Sequence, residues 1–364
     1  MIHTPKNLKL SKKALQVSSN STSHTAGNII FGPVLSRRFG YSLGVDLSPM
    51  RKQCNFDCVY CELHKAKPIE SMEEILPPEQ ILLAITNAIK QHNRIDVLTF
   101  TATGEPTLYP YLYELISQTK SILPRHIKTL ILSNGSNFRA KQAALKLFDI
   151  VKFSLDSVLV QEFKKIDRPS KTLNLAQILE SIQEFARIYQ GELVAEVLLV
   201  EGHNDTKENL IAIAQFLRNI RISRVDLGTI DRPSAYQVRP LTQEKLQWAS
   251  QFFAGLPVTL PTRKMSAIQK SVNTKDSICS TTHNTSQSTT TSQTITSQPN
   301  DYDQETLLKL IATRPIEREE APILFSTTTL KTLEYLLKSG AISIKTQGNN
   351  VFYTTAESIS GKYQ

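Results

Sequence analysis

The middle of the chain alternates short apolar runs, rich in β-branched residues, with longer stretches of helical period, and that alternation leaves few folds open. The runs are SLGVDLS (42–48), DVLTFTA (96–102), TLILSNG (129–135), VKFSLDS (151–157), VAEVLLVEG (194–202) and VDLGTI (225–230). Between the first two, PPEQILLAITNAIKQ opens on paired prolines and spaces Ile81, Ile85 and Ile89 along one helical face. Similar periodicity predicts helices over 107–121, 138–147, 172–187, 206–218 and 241–253. Six β-runs joined by helices predict an α/β fold: right-handed crossovers curl the parallel sheet into a full or partial barrel, with its chemistry on loops at the strands' C-terminal ends.

The polar and glycine-bearing segments fall at those ends. A cysteine loop follows the first strand, TGEPTL the second and SNGS the third, while SLDS closes the fourth and EGHND the fifth. One mouth with one site is the economical reading. Outside the barrel, residues 1–28 are polar and low in aromatics, with lysines at 6, 9, 12 and 13 and no acid before Asp46, so they predict a disordered basic tail. A nearly pure Ser/Thr/Gln/Asn stretch predicts a flexible linker over 266–301. The domain reading is therefore a core over 29–265 and a small C-terminal domain over 302–364.

CNFDCVYC, residues 54–61, crowds three of the four cysteines into one loop. Reduced thiols at such spacing suit a metal or redox centre rather than a disulfide framework. With no apolar run long enough for a membrane helix and no secretory leader, the expectation is a cytoplasmic protein with no membrane association. Cys54, Cys58 and Cys61 supply three ligands, and His64 follows too closely to make the second half of a zinc pair. Structural zinc wants four closed ligands, so three thiols point instead to an iron–sulfur centre with one open iron. Cys279, in the predicted linker, reads as a free exposed thiol.

The C-x3-C-x2-C motif, with Tyr60 before the third cysteine, resembles that of the radical S-adenosylmethionine (radical SAM) superfamily. FGPVLSRRFGYSLGVDLSP, TATGEPTL, LILSNGS, VKFSLDS, FKKIDRPS and EVLLVEGHND extend the resemblance over about residues 30 to 262, towards the branch containing wyosine-type tRNA-modifying enzymes and uncharacterised bacterial relatives. The resemblance implies a partial (β/α)6 radical SAM-type barrel and an enzyme whose cofactors are a [4Fe–4S] cluster and S-adenosylmethionine. Cys54, Cys58 and Cys61 would be the cluster ligands. Gly104 and Glu105 would meet the methionine ammonium group; Ser133, Asn134, Ser154 and Asp156 the carboxylate and ribose hydroxyls; Val200, Gly202 and the backbone of Tyr60 the adenine. The chemistry implied is one-electron cleavage to methionine and a 5′-deoxyadenosyl radical that abstracts hydrogen from a substrate, with a reductant such as flavodoxin or ferredoxin as partner. This chain has Thr103 where the family more often has a second glycine, and no cysteine ahead of Cys54 for the second cluster of the wyosine-type enzymes.

Each residue has a plainer reading: Glu105 an acid before a turn proline, Asp156 a strand-end cap. Arg37, Arg38, Arg168 and Arg232 sit in turns expected near the mouth, either to bind an anionic substrate or to pin loops. The C-terminal segment predicts two or three short helices and a hairpin, a winged-helix-like order, with Ser326 capping the last helix and Gly340 ending it. Such a module serves nucleic-acid contact, protein contact or packing. The branch resemblance and a formal charge of +9 imply tRNA or another nucleic acid as substrate class. The alternative is a non-catalytic iron–sulfur regulator that binds DNA, which leaves the strand-end blocks without a task.

Overall fold

The computed structural model describes residues 29–36, 38–260, 301–313, 315–347 and 350–355. The tail, almost all of the expected linker, Cys279 and Arg37 lie outside them. Eight strands form one sheet in sequential order: β1 (Ile30–Ser36), β2 (Gly40–Asp46), β3 (Val97–Thr101), β4 (Lys128–Ser133), β5 (Ile150–Ser154), β6 (Glu192–Leu199), β7 (Arg224–Thr229) and β8 (Val258–Thr259). From β2 to β8 every pairing is parallel, and the six predicted strands are β2 to β7. The sequence pattern does not disclose β1, which pairs antiparallel with β2 and carries a register shift between Phe31 and Val34, at Gly32–Pro33. Proline cannot donate to the ladder, so this strand stands at an edge and lacks the unbroken apolar pattern of the others.

The connecting helices are α1 (Pro78–Gln91), α2 (Leu112–Ile122), α3 (Phe138–Leu145), α4 (Val160–Ile166), α5 (Leu175–Ile188), α6 (Lys207–Arg218) and α7 (Gln243–Ser250). The helix α5 shows the logic. Asn174 accepts from the amides of Ala176 and Gln177 at the start, and Leu175, Ile178, Ile182 and Phe185 form one buried face. Burying each such side chain contributes about 1.5–3 kcal/mol. The outward strand residues, among them Leu43, Val45, Leu98, Phe100, Ile131, Phe153 and Val197, meet these helices in the main core.

The opposite strand faces line the lumen in layers. At the bottom, Val97, Leu130, Ile150 and Val194 form an apolar layer with Phe39 against it. Above them Lys152 pairs with Glu196 (2.6 Å) and Asp226 (3.3 Å), while Arg38 (3.1 Å) and Arg224 (2.8 Å) also hold Asp226, whose side chain is fully buried. Arg38 precedes β2, so it enters from the N-terminal ends of the strands. The expectation that it sits near the mouth is corrected: the hairpin carrying it turns at the far end of the barrel, where Asp226 neutralises it.

The C-terminal residues form α8 (Gln304–Thr313), β9 (Ile316–Glu317), α9 (Ala321–Leu324), α10 (Thr327–Lys338), β10 (Ile342–Gln347) and β11 (Asn350–Thr355). The strands make a separate sheet in the order β10-β11-β9. Leu307, Ile311, Phe325, Leu333, Leu336 and Phe352 build its own core. As predicted, Ser326 caps α10 by accepting from the Thr329 amide, and Gly340 follows its end with φ of 74°.

Candidate active site at the barrel mouth

Residues 48–76 between β2 and α1 contain almost no regular structure, so their backbone polar groups need partners elsewhere. They find them on every neighbouring strand end. The Gln53 amide donates to the Thr103 carbonyl and the Glu105 amide to the Gln53 carbonyl, both at 2.9 Å, a bridge between the cysteine loop and the turn after β3. Gly104 makes that approach possible: with φ of 138°, a side chain there would drive its Cβ into the Gln53 carbonyl. The buried Gln53 side chain closes the other end of the loop, donating to Ser48 and the Glu74 carbonyl and accepting from the amides of Glu73 and Glu74.

Further on, Asn55 donates to Ser136 (2.8 Å) and accepts from Asn134 (2.7 Å), tying the loop to the end of β4. The Asp57 and Val59 amides donate to the carbonyls of Asp167 and Ile166 at the end of α4. Arg168, next in that turn, has a φ of 45° and stacks its guanidinium on Tyr236, whose hydroxyl donates to Asp57. The Cys61 carbonyl accepts from the Ala235 amide beyond β7. One irregular loop is thus fastened to the ends of β3, β4, β5 and β7.

Cys54, Cys58 and Cys61 are free, partly exposed thiols. Cys58 approaches the Asp167 carboxylate at 3.4 Å and Cys54 the Asn134 amide at 3.9 Å. Burial pushes all three thiols up, Cys54 to about 12. Among the described residues no three His, Cys, Asp or Glu side chains converge as ligands of a single ion. A polynuclear cluster does not ask for convergence, because each thiolate takes a different iron. Binding metal is also what turns such buried neutral thiols into thiolates. The loop fits a three-thiol iron–sulfur group, and His64 stands beside it with its Nε2 buried and without a hydrogen-bond partner.

The other predicted residues fall into two sets. Glu105 is buried, its Oε1 accepting from the Thr107 amide, the Thr107 hydroxyl and Ser133, its Oε2 from the Asn134 amide. Burial raises its pKa, against those hydrogen bonds. Ser133 therefore turns its hydroxyl to Glu105, while Asn134 reaches the cysteine loop. Asp156 accepts from the Tyr60 hydroxyl (2.5 Å) and the Leu198 amide (2.8 Å). Burial raises both Asp156 and Asp167, and the charge of Asp156 adds to the rise at Asp167. Ser154 ends β5 on the lumen side, level with Glu196. Val200 packs with Val59, Ile166 and Ile230 beside Tyr60. Gly202 stands apart in an exposed turn with φ of 68°, where a side chain would meet no other atom within 4 Å of its Cβ.

Sequence reasoning does not single out Lys52, Gln53, Asn55, Asp57, Asp167 or Tyr236. Only Asn55 and Asp57, lying between the cysteines, carry a sequence signal. Arg232 pins loops, pairing with Glu62 (3.5 Å), next to Cys61, and with Glu320 (3.8 Å) of the C-terminal module.

Residues 49–217 match the radical SAM superfamily model. A UPF0026 protein of Helicobacter pylori is 49% identical over 329 residues, covering 89% of this chain and 97% of that protein. Among solved structures, a radical SAM methyltransferase from Sphaerobacter thermophilus aligns at a TM-score of 0.47 and 17% identity, covering 60% of this chain and 66% of that one. TYW1 with a lysine-pyruvate adduct aligns at 0.41 and 17%, covering 58% and 72%. The chain belongs to the UPF0026 family and, through its residues 49–217, to the radical SAM superfamily of enzymes, whose cofactors are a [4Fe–4S] cluster and S-adenosylmethionine.

Proposed function

We propose that Cys54, Cys58 and Cys61 hold a [4Fe–4S] cluster at the barrel mouth, and that this chain binds S-adenosylmethionine beside it to abstract hydrogen from a nucleic acid such as tRNA. The observation that carries the reading is the fastening of the cysteine loop to four strand ends, which brings Tyr60, Gly104, Glu105, Asn134, Asp156 and Val200 around one opening. Bound together, the cluster and S-adenosylmethionine supply one-electron cleavage of a sulfonium, giving methionine and a 5′-deoxyadenosyl radical.

The protein's part is binding and exclusion. Gly104 offers backbone at close range, the second oxygen of Glu105 has capacity for an ammonium donor, and Ser154 stands on the lumen side of β5, with Asp156 two residues beyond holding Tyr60. Substrate class rests on the rim, where Lys65, Lys67, Lys164, Arg168 and Lys171 are exposed around the cysteine loop and α4. Such a cluster favours a polyanion. The helix and strand order of the C-terminal module supports a winged-helix-like reading, but its residues 301–355 hold six Lys/Arg against seven Asp/Glu, so the rim rather than the module is the phosphate-contacting surface.

The test is anaerobic reconstitution with iron and sulfide, reduction, and mass spectrometry for 5′-deoxyadenosine. The expected result is one [4Fe–4S] cluster per chain and slow S-adenosylmethionine cleavage, both lost in Cys58→Ala. Stoichiometric zinc with neither iron uptake nor cleavage would overturn the reading. Charge reversal of Lys65, Lys67 and Lys171 should weaken salt-sensitive RNA retention; unchanged retention would remove the rim from it.

A further inference from the structure

Lys52 is an unusual resident of the cysteine loop. Its side chain is 7% exposed, and its ammonium lies 3.2 Å from the Asp57 carboxylate, itself 14% exposed. It stands two residues before Cys54 in the same loop. A buried lysine needs a counter-charge, and burial alone would lower its pKa. Asp57, between Cys54 and Cys58 in the chain, supplies that counter-charge and fixes the ammonium within the loop. Asp57 divides its two oxygens between Lys52 and the Tyr236 hydroxyl, so it offsets the ammonium only in part.

We infer that Lys52 is a positioning residue for the redox centre: a fixed positive charge inside the thiol loop that raises the midpoint potential of the cluster. The inference rests on the iron–sulfur reading above. Three thiolates and an added electron gather negative charge in a partly desolvated loop, and an ammonium held within that loop favours the more negative, reduced state. Asp57 acts with the opposite sign, through the same ammonium. The pair therefore sets how readily a weak biological reductant loads the centre, with no contact to substrate required.

The experiment is an EPR-monitored redox titration of reconstituted protein, with iron and sulfide counted for every variant. Lys52→Met should lower the midpoint so that the ratio of reduced to oxidised cluster at a fixed potential falls about tenfold, about 59 mV for a one-electron couple. Lys52→Arg should restore it, and Asp57→Asn, which removes the offsetting charge, should shift it upwards. A normally loaded Lys52→Met protein with an unmoved midpoint overturns the inference. If Lys52→Met takes up no iron, Asp57→Asn decides: a midpoint that fails to rise overturns it. Wild-type protein that forms no iron–sulfur chromophore would take down the cluster reading itself, an outcome visible before any variant is titrated.

Discussion

The cysteine loop and the C-terminal module hold their shapes by opposite means. The loop has little regular structure, and its order comes from polar contacts across long stretches of chain: Asn55 to Asn134, Tyr60 to Asp156, Tyr236 to Asp57. The module is regular and apolar inside, with Leu307, Leu333, Leu336 and Phe352 drawn from segments fewer than 50 residues apart. In the first, single polar side chains join distant segments, so losing one removes a specific hydrogen bond from its partner. In the second, losses are graded by the volume removed. The loop is also where chemistry is assembled, which is why conformational economy gives way there to fixed polar geometry.

The sharpest way to break this contrast is Gly104→Ala. A methyl group at that point overlaps the Gln53 backbone, which has no side-chain freedom to yield. The expected cost is about 4 kcal/mol in thermal or denaturant unfolding, with cluster uptake lost. A variant that melts normally and loads iron would mean the loop is not pinned to the turn. Next is Leu333→Ala, a cavity of about 3 kcal/mol confined to the module core. Iron content and S-adenosylmethionine binding should stay at wild-type levels while the module becomes sensitive to protease. Loss of the cluster in this variant would show that the Arg232 bridge to Glu320 carries structure from module to mouth. The smallest effect belongs to Glu105→Gln. The amide keeps Oε1 as an acceptor and loses only the acceptor at Oε2, a charge-assisted bond of about 1.5–3 kcal/mol. Cluster content should hold while S-adenosylmethionine affinity, read by calorimetry, falls about tenfold. Unchanged affinity would leave Glu105 as a turn-builder alone.

The same contrast governs what the sequence discloses. Strands β2 to β7 are legible because each is an apolar run flanked by helical period, and the cysteines because their spacing is local. Ser326 and Gly340 follow from capping chemistry read within one turn. Strand β1 escapes because Gly32–Pro33 interrupts it, and α4 because seven residues leave too few turns to establish a period. Lys52, Gln53 and Asp167 escape for another reason: nothing near them in the chain shows what they touch. The lumen charges Lys152, Glu196 and Asp226 read locally as breaks in strand patterning, and only the pairing of β5, β6 and β7 makes them partners. Sequence context puts Arg38 beside the mouth; in the fold it neutralises charge at the floor of the barrel.

Where Gln53 and Gly104 meet, main chain rests on main chain with no side chain between them. The loop and the turn after β3 therefore move as one body, and no hinge within them is free to open a gap. Whatever enters the mouth finds its receiving groups already spaced, so the entropy of ordering them is spent during folding and not during capture. Affinity at such a site is governed by how well the guest fits rather than by how far the host must travel. Loading should then follow a single kinetic phase, first order in the incoming molecule, without a slow rearrangement behind it.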